Sequence, residues 1–347
     1  MIRNCFRHLY GIKRERIPPT PDGDMRLHRL ERPVPWPNEI WPRVDRINLY
    51  PDYPPLYKRI AVHLGVKPEQ IVLGNGIEDL VRTLVLLCCD PGDGFAFTWP
   101  TCKMFEIYAQ VFGAKPLKIE THPSEPLTAS RIAAFAWGAS LMLLPNPGQP
   151  VETCYGLDDL RLIARECKKY GTTLAIDEAY YGFGAPTALP LIDEFDNVVV
   201  LRTMSKAFGA AGLRVGYAIG QQHIIKPLDA IRPSGEIAGP SLRAATRLLA
   251  SWPDVIEPGV REICAGRDWF REALTSAGFC AVGSVANHVL IDLKSAGRMR
   301  RVREELLARG IHVKGGFPSP LEAHLLVTAG PVEMMKEVYD RFIEVVS

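Results

Sequence analysis

The sequence predicts an α/β fold: a large domain with a mostly parallel sheet sandwiched by helices, followed by a smaller α+β domain. Short apolar runs such as Thr173–Ile176 and Val198–Leu201 lack polar alternation, as strands covered on both faces do. Amphipathic stretches separate successive runs, which is the pattern of a sheet wound by helices. Beyond about residue 225 the alternation breaks down into long helices and closely spaced strands. A chain of 347 residues exceeds one typical domain. The expected division is an arm over 1–45 that joins the small domain, a large domain over 46–235 and a small domain over 236–347.

Taken in order, the Arg- and Pro-rich arm is weakly periodic, and Ile47–Tyr57 is a turn-rich link. Tyr57–Leu64 reads as a short helix and Gln70–Leu73 as a strand broken by Gly74-Asn75-Gly76. Helix Ile77–Cys89 carries Leu80, Leu84 and Leu87 on one face, with Glu78 and Asp79 in its first turn, where acids suit the helix dipole. Strand Gly94–Thr98, helix Thr101–Phe112, strand Lys115–Ile119, helix Arg131–Trp137 and strand Ser140–Leu144 follow. Helix Leu157–Tyr170 closes at Gly171. In the last third, Pro240–Ser251 and a long stretch from Asp254 to Ala277 read as helices. Strand His288–Leu293, helix Arg298–Arg309, strands Ile311–Lys314 and His324–Thr328, and helix Val332–Val346 complete the chain.

Composition removes several classes of function. A hydrophobic content of 47% supports a sizeable core, and a formal charge of +2 gives no attraction for nucleic acid or an anionic membrane. No stretch of about 18 uncharged apolar residues is present, so no membrane span is expected. The start lacks the apolar core of a secretory signal. The eight cysteines show no metal-like spacing and read as reduced cytoplasmic thiols. No HExxH, strand-following G-x-G-x-x-G or G-x-S-x-G occurs, so metal, dinucleotide and serine-hydrolase sites are not expected.

The stretch from Leu174 to Tyr217 carries the chemistry. Open α/β sheets bind ligands just beyond the carboxyl ends of their strands. Asp177, Glu178 and Tyr180 follow the first buried run; Arg202, Thr203, Ser205 and Lys206 end the second. Desolvation lowers a lysine's pKa from about 10.4 and makes the amine of Lys206 a usable nucleophile. This set suits pyridoxal 5'-phosphate: Lys206 to form the Schiff base, Asp177 to hold the pyridine nitrogen protonated, a phenol for the ring oxygen. Tyr180 is the favoured phenol, with Tyr181 competing. Asn146, between two prolines, is a second donor to that oxygen. Thr203, Ser205 and Arg214 can hold the phosphate dianion. The turn before the helix at Ile77 supplies Gly76 and Ile77 as a backbone anion cradle.

These residues resemble a known family. From about Arg26 onward the chain is similar to fold-type I, class I/II aminotransferases, in the histidinol-phosphate-aminotransferase-like branch. The motifs, in order, are YPDY (50–53), VLGNGIEDL (72–80), DPGD (90–93), WPT (99–101), PNP (145–147), DEAY (177–180), LRTMSKAFGAAGLRVGY (201–217) and LLVTAG (325–330). The resemblance implies a seven-stranded sheet and a homodimer with shared active sites. It makes Lys206 the Schiff-base lysine and acid/base, and sends Tyr50 to the phosphate of the neighbouring subunit. Three departures stand out. Cys102 replaces the aromatic that stacks on the ring, with Trp99 or Tyr108 as compensation. The PNNPTG loop is PNPGQP. Leu326 replaces the arginine that clamps the substrate carboxylate, and Arg32, Arg43 or Lys103 are the stand-ins expected from the sequence.

Three functions compete. The first is an aminotransferase acting on a small polar or phosphorylated amine or ketone. The second is a decarboxylase, lyase or carbon–carbon bond-forming enzyme on the same scaffold, since a leucine at 326 would desolvate a departing carboxylate. The third is a non-enzymatic binder, which the complete Asp177, Lys206 and Arg214 set argues against.

Overall fold

Each apolar run between residues 70 and 203 becomes a strand of one sheet, and the amphipathic stretches between them cover it. The computed structural model describes residues 19–44, 47–233 and 235–346. The expectations for residues 1–18 lie outside the described residues. Short strand β1 (Met25–Leu27) precedes helix α1 (Pro54–Leu64). Then come β2 (Ile71–Gly74), α2 (Ile77–Cys88), β3 (Gly94–Trp99), α3 (Lys103–Phe112), β4 (Lys115–Glu120), α4 (Ala129–Ala133) and β5 (Leu141–Pro145). The chain continues through α5 (Leu157–Lys169), β6 (Thr173–Asp177), α6 (Leu191–Glu194), β7 (Val198–Thr203), β8 (Gly216–Gly220) and α7 (Gln222–Ala230). The last third holds α8 (Gly239–Ala250), α9 (Glu257–Ser276), β9 (Cys280–Val282), β10 (His288–Asp292), α10 (Ala296–Ala308), β11 (Ile311–Val313), β12 (His324–Thr328) and α11 (Val332–Val346).

The large sheet has seven strands in the order β2-β8-β7-β6-β5-β3-β4. Pairings from β4 through to β7 are parallel, while β8 runs antiparallel to both β7 and β2. Side chains alternate between two cores, as the two-residue period of a strand requires. Val72, Phe95, Phe97, Leu143 and Val199 pack with α2, α3 and α7. Leu73, Met142, Leu144, Ile176 and Val200 pack with α1, α5 and α8 on the other face.

Besides β1, α6, α7 and β9, which have no counterpart in the sequence reading, three places differ from it. β8 has no counterpart in it, because glycines at both ends weaken the strand signal. Gly216 is required there: a Cβ would lie 2.7 Å from both the carbonyl carbon of Gly76 and the nitrogen of Ile77. Helix α1 starts a turn earlier than expected, at Pro54, because proline suits a first turn that needs no N–H. The long helix expected from Asp254 opens instead with a π-helical turn, Trp252–Ile256, that contains Pro253.

A second sheet, in the order β12-β10-β9, is antiparallel. Strand β1 of the arm lies parallel to β11. Leu325 and Val327 face a third core under α9, α10 and α11. Leu290 and Leu326 point the other way, into the core shared with the large sheet. That face of the small sheet therefore looks toward the carboxyl ends of β5, β6 and β7.

Glu178 and Arg202, at the ends of β6 and β7, do not enter the crevice. They form a buried pair, 2% and 1% exposed, with Arg202 Nε 2.9 Å from Glu178 Oε2. Thr187 Oγ1 donates to Glu178 at 3.0 Å, and the guanidinium lies 3.6 Å over the Tyr181 ring. Removing one member of such a pair strands a charge in the interior. Glu178→Ala should lower stability by about 3–5 kcal/mol, measured by urea unfolding, and Glu178→Leu combined with Arg202→Met should recover most of that loss.

Candidate active site

The parallel strands bring their carboxyl ends into line. Pro145 of β5 pairs with Asp177 of β6, and Asp177 with Leu201 of β7. Asn146, Asp177 and the loop from Thr203 to Lys206 therefore emerge side by side. The backbone N–H of Asn146 donates to Asp177 O at 2.9 Å.

Lys206 and Asp177 are the two ionisable groups at the centre. Lys206 Nζ donates to Arg29 O at 3.1 Å. Burial pushes its ammonium down to about 8, aided by Lys314 and Arg214 and opposed by Glu31. Asp177 accepts one hydrogen bond, from Ala179 N at 3.0 Å. Burial raises its carboxyl to about 7, outweighing that bond and the field of Lys206. Each is poised near neutrality, where proton transfer is efficient. Tyr180 is buried, its phenol pushed well up by desolvation, and its ring meets that of His288 edge-on at 5.6 Å.

A second group sits one step along. Ser205 N donates to Thr203 Oγ1 at 3.1 Å, and the two hydroxyls are 2.9 Å apart. Arg214 Nη1 lies 3.4 Å from Ser205 Oγ. Arg214 adopts a left-handed backbone, φ 55°, unusual outside glycine and typical of functional loops. Gly76 caps α2 with φ 78°, and a Cβ there would fall 2.5 Å from Arg214 Nη2. Only a residue without a side chain lets the guanidinium close over the free N–H groups of the helix start. Two hydroxyls, a guanidinium and a helix N-terminus make a site for a dianion.

Other expected residues are placed differently. Asn146 is clasped to the backbone of Tyr155, accepting from its N at 2.8 Å and donating to its O at 3.2 Å, which leaves one amide proton for a ligand. Arg32 lines the small cavity beside Lys206, but its guanidinium stacks 3.8 Å over Trp36 and donates to Gly259 O at 3.0 Å and Glu262 at 3.3 Å. Glu262 pairs its charge, while its Nε is buried without a partner among the described residues, so the guanidinium is only partly taken up. Arg43 and Lys103 are exposed. Trp99 sits under the ammonium of Lys118 at 4.2 Å, and the Tyr108 hydroxyl donates to Glu78 at 3.0 Å. Cys102, at the start of α3, is close enough to Asp177 and Lys314 to feel their charges, and burial pushes its thiol up. Tyr50 is 97% exposed. Leu326 is fully buried on the site-facing side of β12.

The sequence reading missed two groups. Lys314, just after β11, exchanges two backbone hydrogen bonds with Leu326, at 3.0 and 2.7 Å. Directly opposed residues of an antiparallel bridge share a face, so its side chain rises beside that of Leu326. Burial lowers its ammonium, Cys102 opposes, and no anion or acceptor meets it among the described residues. His288 is fully buried, neither ring nitrogen has a partner, and burial with Lys206 and Lys314 nearby pushes it down to about 3. The strand-end rule applied to Ile311–Val313 would have found Lys314; a histidine opening an apolar strand left no comparable signal.

The sequence profile described as "Aminotransferase class I and II" matches residues 44–342. The chain belongs to this family. Similar proteins include the histidinol-phosphate aminotransferase of Caldanaerobacter subterraneus subsp. tengcongensis, 30% identical over 326 residues and 90% of each chain. That of Thermococcus gammatolerans is 30% identical over 314 residues, 88% of this chain and 87% of its own. Among solved structures, histidinol-phosphate aminotransferase from Sinorhizobium meliloti in complex with pyridoxal-5'-phosphate superposes with a TM-score of 0.84 at 23% identity, covering 93% of this chain and 90% of that one.

As a class I and II aminotransferase, the protein is a pyridoxal-5'-phosphate-dependent transferase. The residues present fit that cofactor. The Gly76–Arg214 cradle suits its phosphate, and a buried carboxyl at about 7 without a cation against it suits a protonated ring nitrogen. In the cofactor-free protein, half the Lys206 amine should be neutral at about pH 8, well below an ordinary lysine. Acetylation of the Lys206 peptide by acetic anhydride, followed by mass spectrometry against pH, should show a midpoint near 8; a midpoint above about 10 would contradict the desolvated amine.

Proposed function

We propose that the protein transfers an amino group to or from a small amine or ketone that carries a phosphate or comparable acid, and that Lys314 holds that acid. The observation that carries this is the half-buried ammonium of Lys314, which meets no anion among the described residues, on the face of the small sheet that looks toward Lys206. Relatives named histidinol-phosphate aminotransferase support a phosphorylated substrate.

When bound, pyridoxal phosphate supplies an aldehyde and an electron sink. Lys206 is the covalent anchor and the base, taking the proton from the substrate carbon through Nζ. Asp177 keeps the ring nitrogen protonated by ionising against it, which its burial makes favourable only with that cation present. Thr203, Ser205, Arg214 and the N–H groups at Gly76 and Ile77 orient the phosphate. Tyr180 and the free amide proton of Asn146 would serve the ring oxygen, with Cys102 at the position where an aromatic is expected. Leu326 gives Lys314 an apolar flank, so the ammonium faces an acid in a medium where the attraction is stronger than in water.

A second reading, loss of carbon dioxide, draws on the apolar Leu326. Lys314 beside it weighs against this, because a cation stabilises the carboxylate that would leave.

The exposed residues Val44, Ile47, Leu49 and Tyr50 support a homodimer in which Tyr50 reaches the partner's phosphate. The free state of the described cysteines supports a cytoplasmic location, and no helix among the described residues is long and apolar enough to cross a membrane.

Two measurements test this. Spectroscopic half-reactions with histidinol phosphate, O-phosphoethanolamine, L-glutamate and unphosphorylated histidinol should convert the bound cofactor readily with acid-bearing amines and only weakly with histidinol. Lys314→Ala should raise KM for the phosphorylated donor about 10- to 100-fold, the range of a charged hydrogen bond, and leave histidinol unaffected. Conversion of no donor at all, or an indifferent Lys314→Ala, would sink the proposal. Sedimentation should give twice the 38.6 kDa of the chain, and Tyr50→Ala should weaken cofactor binding without dissociating the dimer.

A further inference from the structure

Glu152, two residues past the PNPGQP stretch, links the loop after β5 of the large sheet to the loop before β10 of the three-stranded sheet. Its Oε1 accepts from Ser284 N at 2.6 Å, Ser284 Oγ at 2.8 Å and Val285 N at 3.1 Å, and its Oε2 accepts from Ala286 N at 3.0 Å. Three successive backbone N–H groups form a concave seat for an anion. Here that anion comes from a residue more than 130 positions away in sequence. Bonds from N–H to an ionised carboxylate are about twice as strong as neutral ones.

Both ends of this link are tied to the site. On one side, Gly148 N donates to Thr153 O at 2.8 Å and Asn146 is clasped to Tyr155, so the loop bearing Glu152 also bears the asparagine beside Asp177. On the other side, Ala286 leads within two residues into His288, the first residue of β10. β10 pairs with β12, whose Leu326 is bonded to Lys314. Asn287 further binds the arm through Leu30 O at 3.0 Å, and Leu30 N reaches Thr328 Oγ1 at 3.0 Å.

We propose that Glu152 is a positioning residue for the substrate side of the site. It holds the head of β10 in place, and with it the face that carries His288, Leu326 and Lys314, at a set distance from Asn146 and Asp177. The cofactor's own phosphate cradle is built from Gly76, Thr203, Ser205 and Arg214, none of which is bonded to Glu152 or to 284–286. The proposal rests on the reading of Lys314 as the acid-holding group.

The test compares the cofactor-loaded wild type with Glu152→Gln, Glu152→Asp and Lys314→Ala by hydrogen exchange and by the affinity of inorganic phosphate as probe. Glu152→Gln should speed exchange over 284–292 about tenfold, the scale of one lost charged hydrogen bond, with exchange over 71–77 and 200–217 and the cofactor absorbance unchanged. It should weaken phosphate by a similar factor, while Glu152→Asp, which keeps the charge, retains part of both effects. Unchanged exchange over 284–292 would overturn the proposal. So would faster exchange there with unchanged phosphate affinity, since the link would then be structural alone. Equal phosphate binding by Lys314→Ala and wild type would instead overturn the reading of Lys314, and the exchange data would judge the Glu152 link by themselves.

Discussion

Two opposite charges withdrawn from water at the ends of neighbouring strands are what the rest of the site depends on. Asp177 and Lys206 each lose hydration on folding, and each moves toward its neutral form, to about 7 and about 8. Neither is rescued by a direct ion pair with the other. A carboxyl in that state calls for a cation held against it, and an amine in that state is a nucleophile. The fold holds both groups in an unfavourable environment, and a protonated ring with an aldehyde relieves each of them. The buried Glu178–Arg202 pair just beneath stiffens the same two strand ends without entering the crevice.

The electrostatic balance of the pocket is tilted toward cations. Lys314 and Arg214 press on the protonation of Lys206, and burial together with Lys206, Lys314 and Arg267 keeps His288 neutral. Arg214 is accounted for by the dianion that its cradle fits. Lys314 is left with no counter-charge among the described residues, so under the proposed function an acid on the substrate would complete the balance. In that proposal Leu326 is half of a replacement: the cation would sit one strand across, on a residue bonded to Leu326 through the backbone, with a point charge in place of a planar fork. An ammonium reads an acid group by charge more than by paired geometry, which suits a phosphate at least as well as a carboxylate.

Particular residues show how far the chain could be read in advance. The strands Leu141–Pro145, Thr173–Asp177 and Val198–Thr203 were legible because burial on both faces demands unbroken apolar runs. The strand-end rule then pointed to Asp177 and Lys206. β8 was not legible, since its glycines serve a close approach to Gly76 that no local pattern reveals. The sequence neighbourhood of Arg32 says nothing of Trp36 and Gly259, which take up part of its guanidinium. Lys314, His288 and Glu152 carry ordinary local signals and acquire meaning only from what faces them.

The sequence by itself determined the layered α/β architecture and singled out the candidate Schiff-base lysine, the acid one strand away and the glycine-bounded turn before α2. These follow from local periodicity and from the fixed relation between a strand's end and the crevice beyond it. The tertiary structure decided which charges are matched and which are left open: Arg32 and Arg202 are matched, Lys314 is not. Charge balance depends on distances between residues hundreds of positions apart, and a one-dimensional pattern contains no such distance.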